Sequence, residues 1–255
     1  MDTCLHPEQV MTLQRLIKKP EGKFQQWLCA GILYNENMLA EIMAMKFMQQ
    51  HRFAEARNVL QSTETQIKVC NPFVTHVRDF QDNYKEEDTL QSYSLRALAD
   101  TLYHLERLSD DNPEAAFHLA TAIYSLSYFG KCWNACTYYR SYDRPDYYMM
   151  NGNIDNAAYN ELKQADQLFR QVLSTSTDSR LKERSLWMLA KIWQKRYPGT
   201  LPDSLQRYRQ PQWDDYAIWA SQANPYFSRF VSEASRPYYE EVYRECSYLR
   251  AFTSH

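Results

Sequence analysis

The 255-residue chain predicts an all-α fold, with antiparallel helix pairs stacked side by side into a solenoid or superhelix. Two observations carry that expectation. Apolar residues recur at helical spacing along most of the chain, and small residues sit inside those stripes where neighbouring backbones have to approach closely. A 15% aromatic content led by 20 tyrosines suits interlocking helices, because a tyrosine can bury its ring and keep its hydroxyl wet.

Pro7 suits a first helical position, and Val10, Leu13, Leu16 and Ile17 give a short amphipathic helix that ends before Pro20. A second helix starts near Lys23, with Phe24, Trp27, Leu28, Gly31 and Ile32 on one face. From about Met38 to Ser62 a pair is expected. Ala40, Met43, Ala44 and Phe47 form one stripe, Phe53, Ala56 and Leu60 the other, and His51 and Arg52 mark the turn. Ala44 and Ala56 let the backbones close up while the larger residues fill the seam beside them. Here the chain resembles a tetratricopeptide repeat, whose two helices carry small residues at those two positions.

Residues 63–83, with Asn71-Pro72 and little periodicity, read as a turn- and strand-like connection. The helical period returns from about Glu87 with Leu95, Leu98, Ala99, Leu102 and Leu105, and residues 109–112 stop it. Pro113 opens the next helix, which carries Phe117, Leu119, Ala120 and Ile123. Gly130 is expected to close it as a left-handed cap, with a return helix over 133–142. The loop of 143–156 is longer than the usual inter-helix turn and contains an Asn-Gly signal. Ala165, Leu168, Phe169, Val172 and Leu173 then resemble the second helix of the earlier pair. Leu186, Leu189, Ala190 and Trp193 resemble a first helix, with Asp178 as a cap between the two. Beyond 199, Pro202, Pro211, Pro225 and Pro237 cut an aromatic tail that includes Trp213, Trp219, Tyr226, Phe227 and Phe230 into short helices. The division expected is one helical-repeat domain over 1–255, with N-terminal helices at 7–62, central pairs at 87–197 and an aromatic cap at 198–255. The second-helix patterns ending at Leu60 and Leu173 do not keep a constant tetratricopeptide register.

A second resemblance rests on residues 115–142, AAFHLATAIYSLSYFGKCWNACTYYRSY, and 181–193, LKERSLWMLAKIW. They are similar to uncharacterised tyrosine-rich helical-repeat proteins of the bacterial cell envelope. That resemblance implies a periplasmic or envelope location and no particular activity, with the cytoplasm as the alternative. The helix start directly after Met1 is also what a C-terminal fragment of a larger protein would present.

Several function classes are disfavoured. Twenty-nine basic against 31 acidic residues leave a net charge of −2, so no global field favours nucleic acid. Glycine numbers only 5, and no dinucleotide-binding or P-loop motif occurs. No apolar run reaches the roughly 18 residues of a membrane span, so no direct membrane insertion is expected. The six cysteines, Cys4, Cys29, Cys70, Cys132, Cys136 and Cys246, show no C-x-x-C spacing, and their redox state stays open. Cys132 and Cys136 share a helical face, a spacing that permits joint metal ligation, yet the nearest histidines in sequence, His104 and His118, stand on earlier helices; core packing is the reading taken. The adjacent carboxylates Glu86-Glu87, Asp110-Asp111, Asp214-Asp215 and Glu240-Glu241 read as helix-end or solvated groups. No catalytic residue, metal site or cofactor is assigned.

The densest aromatic and basic cluster is Tyr138, Tyr139, Arg140, Tyr142, Arg144, Tyr147 and Tyr148. Tyrosine offers contact area at little entropic cost and arginine stacks or forks. These seven are the expected binding residues of a non-catalytic scaffold that holds a protein or peptide in a concave groove. The alternative is an envelope module that binds or processes a glycan or small ligand.

Overall fold

The computed structural model describes residues 5–31, 36–65, 67–77, 93–138, 162–196 and 221–254. The fold class is all-α. The helices are α1 (Pro7–Lys18), α2 (Lys23–Ala30), α3 (Glu36–Gln49), α4 (Phe53–Leu60), α5 (Leu95–Leu108), α6 (Pro113–Leu126), α7 (Lys163–Thr175), α8 (Ser179–Arg196), α9 (Pro225–Glu233), α10 (Arg236–Glu245) and α11 (Ser247–Thr253). The strands among the described residues are β1 (Lys68–Val69) and β2 (Tyr93–Ser94), an antiparallel pair with Val69 opposite Tyr93. The residues fall into two compact units, one drawn from 5–72, 93–107 and 125–138, the other from 73–77, 108–124 and 162–254.

In the first unit α3 is the central element. Every residue from Leu39 to Gln49 is buried, Glu41 and Lys46 included, with α1 and α4 packed against it. A helix that is apolar on most sides has to be covered on most sides. Ala44 and Ala56 are both fully buried, as the small-residue seam requires, and Phe53 and Leu60 are fully buried beside them. Burying each of those larger side chains contributes about 1.5–3 kcal/mol. The α3–α4 turn is closed by Arg52 N–H donating to the Phe47 carbonyl (2.8 Å) and His51 N–H to that of Met48 (3.0 Å), with His51 at φ 56°. This is the paired-bond termination that usually employs glycine; His51 supplies the left-handed residue here and stacks on Phe53 at 6.0 Å between ring centroids.

Two details after α6 differ from expectation. Gly130 is not a left-handed cap: it follows α6 by four residues, and what it supplies is space, because a Cβ there would collide with the backbone of Ser125. Nor does an α-helix begin at Trp133. Residues 133–135 form a single 3-10 turn, while 139–142 lie outside the described residues. Tertiary ties explain the turn. Cys132 is bonded to Cys70 in a disulfide, and Asn134 Nδ2 donates to the Lys68 carbonyl at 3.1 Å, so this stretch is fastened to β1. Cys132 is therefore half of a cross-link, where spacing alone suggested a packing residue. Among the described residues Cys29, Cys136 and Cys246 form no disulfide.

In the second unit α7 and α8 pair across the turn at residues 176–178. Asp178 caps α8, its Oδ1 accepting from Arg180 N–H at 2.8 Å. Asn112 does the same for α6, accepting from Glu114 and Ala115 N–H ahead of the first turn that Pro113 opens. Ala165, Phe169 and Val172 are fully buried, and Phe117 of α6 meets Phe169 edge-on at 5.8 Å. The aromatic tail packs on α8: Trp187 lies against Phe227 and Phe230, and Phe230 meets Tyr238 edge-on. Asn224 fixes the approach. Its Oδ1 accepts from Tyr226 N–H to cap α9, while its Nδ2 donates to the Ala190 carbonyl of α8, both at 3.0 Å.

Candidate functional site

Of the seven residues expected to bind, Tyr138 is described and is exposed; Tyr139, Arg140, Tyr142, Arg144, Tyr147 and Tyr148 lie outside the described residues. Trp213 and Trp219 of the tail, and Glu86-Glu87 and Asp214-Asp215 of the carboxylate pairs, lie outside them too. Glu240 is taken up by an exposed ion pair with Arg236 at 2.8 Å, the solvated role expected of it.

An aromatic and basic cluster is nevertheless present elsewhere, where α4 and α5 of the first unit meet. Arg57 Nε donates to Asp100 Oδ1 at 2.7 Å, and its guanidinium carbon lies 4.9 Å from the Tyr103 ring centre. Arg107, one turn along α5, lies 5.7 Å from the same ring and donates from Nη1 to the Tyr103 hydroxyl at 3.2 Å. His104 meets Tyr103 edge-on. The local reason is helical spacing: Asp100, Tyr103 and Arg107 recur at three and four residues and share a face of α5. Arg57 reaches that face because Ala56 and Leu60 turn the other side of α4 onto α3. The side chains of Arg57 and Asp100 are about one-third and two-fifths exposed, so the cluster is open to solvent.

Acidic groups border it. Glu106 carries a carboxyl raised above its ordinary value, first by burial and then by the charge of Glu55. Glu55 is itself paired with Arg52 at 2.9 Å; Arg52 also bonds Glu8 at 2.6 Å and covers the Phe47 ring at 4.5 Å. The charge-assisted bond from Arg52 holds the Glu8 carboxyl below its usual range. An arrangement of guanidinium, phenol ring and carboxylates offers stacking, cation–π contact and forked hydrogen bonds, which suits recognition of a polar chain segment.

The second unit holds a different polar feature. Lys191 is buried, its Nζ donating to the His76 carbonyl at 2.9 Å and lying 5.0 Å from the Tyr124 ring centre, an internal tie between the 73–77 segment, α6 and α8. Among the described residues no three His, Cys, Asp or Glu side chains converge as a metal-ligand group.

Both units contain helix hairpins; the polar cluster of the first is open to solvent, whereas Lys191 of the second is buried. Comparisons with protein families, with curated proteins and with solved structures return no match. Function is thus argued from the residues. The α4–α5 cluster is a candidate site that residue spacing alone did not reveal. The i, i+4 pair of Tyr103 and Arg107 was a legible signal, but nothing in sequence places Arg57 over the same ring.

Proposed function

We propose that the chain is a non-catalytic, protein- or peptide-binding scaffold of tetratricopeptide-like repeat type. What supports the reading is the Arg57–Tyr103–Arg107 stack, accessible at its edge and carried on helices whose opposite faces are locked into a packed core. Rigid presentation lowers the ordering cost of binding, and tyrosine and arginine are the residue types that concentrate binding energy. The Cys70–Cys132 disulfide supports an oxidising location such as the periplasm or cell envelope over the cytoplasm.

The test is site-specific photo-crosslinking in cells, with the probe at His104 or at Tyr138. One and the same protein partner is expected from the His104 probe, and its capture should fall about ten-fold in the Arg57→Ala/Tyr103→Ala variant, as expected when hot-spot residues are removed. Capture that is unchanged in this variant removes the site; no captured partner from either position removes the reading.

Glu106 favours the second reading, a glycan-binding or glycan-processing envelope module, because a carboxyl whose pKa is raised by burial and by a neighbouring carboxylate has the character of the acid that glycosidic-bond hydrolysis uses. Binding or turnover of soluble cell-wall glycan fragments that is lost in Glu106→Gln, with Arg57→Ala unaffected, would favour it over the scaffold.

A further inference from the structure

We propose that α2 and the basic segment leading into it form a peripheral docking element for an anionic lipid bilayer surface, lying on the surface without crossing it. The inference is independent of the scaffold reading.

The starting point is a helix whose apolar face is left exposed by the described residues. Phe24, Trp27 and Leu28 stand at i, i+3 and i+4, so they share one side of α2, and they are 70, 71 and 44% exposed. The two rings stack on each other, with centroids 6.0 Å apart. No residue of α2 is buried; its tie to α1 includes the Cys29 thiol, 3.8 Å from the Leu16 carbonyl. A bilayer interface accepts an exposed row of aromatic side chains without any complementary groove.

Charge chooses the kind of surface. Between Thr12 and Gly31 there are four basic residues, Arg15, Lys18, Lys19 and Lys23, against the single acid Glu21, in a chain whose overall charge is −2. All four are exposed. Lys18 pairs with Glu36 at 2.9 Å; Arg15, Lys19 and Lys23 have no carboxylate within ion-pair distance among the described residues. An exposed Trp-Phe-Leu face flanked by unpaired cations has the composition of a helix that lies in the headgroup region, its rings at the acyl boundary and its cations at the phosphates. No helix among the described residues is long and apolar enough to cross a membrane, which agrees with lying on the surface.

The experiment uses the full chain with phosphatidylcholine vesicles that either contain about one-third phosphatidylglycerol or lack it, at low salt. Co-sedimentation with the anionic vesicles should exceed that with the neutral ones by about ten-fold, and raised salt should remove the difference. Phe24→Ala/Trp27→Ala and, separately, Lys19→Glu/Lys23→Glu should each reduce partitioning about ten-fold. All four positions are exposed, so circular dichroism and the melting temperature should be unchanged. Trp27→Phe should retain binding and lose the blue shift of tryptophan emission that the parent chain shows on vesicles. Failure to bind anionic vesicles, or equal binding by the parent chain and either double variant, overturns the proposal. So does concentration-dependent self-association that Phe24→Ala/Trp27→Ala abolishes, which would give the face to a second copy, or crosslinking of position 27 to a protein without vesicle binding.

Discussion

Cys70 and Cys132 are 62 residues apart in sequence and are joined by a disulfide, their Cα atoms 5.7 Å from each other. The bond ties the stretch that follows β1 to the 3-10 turn at 133–135. Closing a loop of that length removes much of the freedom of the unfolded chain, by about 4 kcal/mol in the chain-entropy account. Cys70→Ser/Cys132→Ser should lower stability by about 2–4 kcal/mol, read as a drop in the urea midpoint that reducing agent reproduces in the parent chain and does not deepen in the variant. Peptide mapping without reductant should recover the linked pair, with Cys136 and Cys246 alkylated only after denaturation.

The seam between α3 and α4 depends on methyl-sized side chains. Leucine matches alanine closely in helix propensity, so Ala44→Leu or Ala56→Leu tests close approach with little effect on helix formation. Each is expected to cost about 1–3 kcal/mol through overpacking, measured by chemical denaturation, whereas Ala30→Leu on the exposed side of α2 should be near neutral.

Asn224 serves two helices with one amide, and its two ends can be separated by substitution. Asn224→Ala removes both bonds and should cost about 2–3 kcal/mol, since the site is buried and leaves a cap and a carbonyl unpaired. Asn224→Asp keeps the cap acceptor for Tyr226 N–H but turns an oxygen toward the Ala190 carbonyl. Aspartate caps as well as asparagine on exposed helices, so a thermal melt showing Asn224→Asp at least as destabilised as Asn224→Ala would locate the cost in the bond to Ala190.

Glu8 and Glu106 should respond to pH with opposite signs. The Glu8 carboxyl is held down by Arg52, so its stabilisation is present above the ordinary carboxylate range and disappears as pH falls through the depressed folded value. Glu8→Gln should cost less than about 1 kcal/mol at neutral pH, because the pair is half exposed and screened, and nothing in strong acid. Glu106 is raised by burial and by Glu55, so its ionised form weakens the fold, and the penalty vanishes as pH falls below the ordinary carboxylate value. Glu106→Gln should therefore raise the urea midpoint slightly at neutral pH and leave it unchanged in acid.

Several helix starts and one helix seam of this protein were determined locally, and the sequence by itself was enough for them. Pro7 and Pro113 at helix starts, Asp178 as a cap, and Ala44 and Ala56 inside apolar stripes all act within a turn or two of chain, so spacing and side-chain chemistry announce them. Tertiary structure decided the rest. The partner of Cys70, the placing of Arg57 over Tyr103 and the tethering that replaces a helix with a 3-10 turn at Trp133 are meetings of residues 46 to 66 positions apart, for which local pattern carries no information. The face of α2 shows the same boundary: periodicity aligned Phe24, Trp27 and Leu28 on one side, and only the tertiary structure shows that side exposed among the described residues.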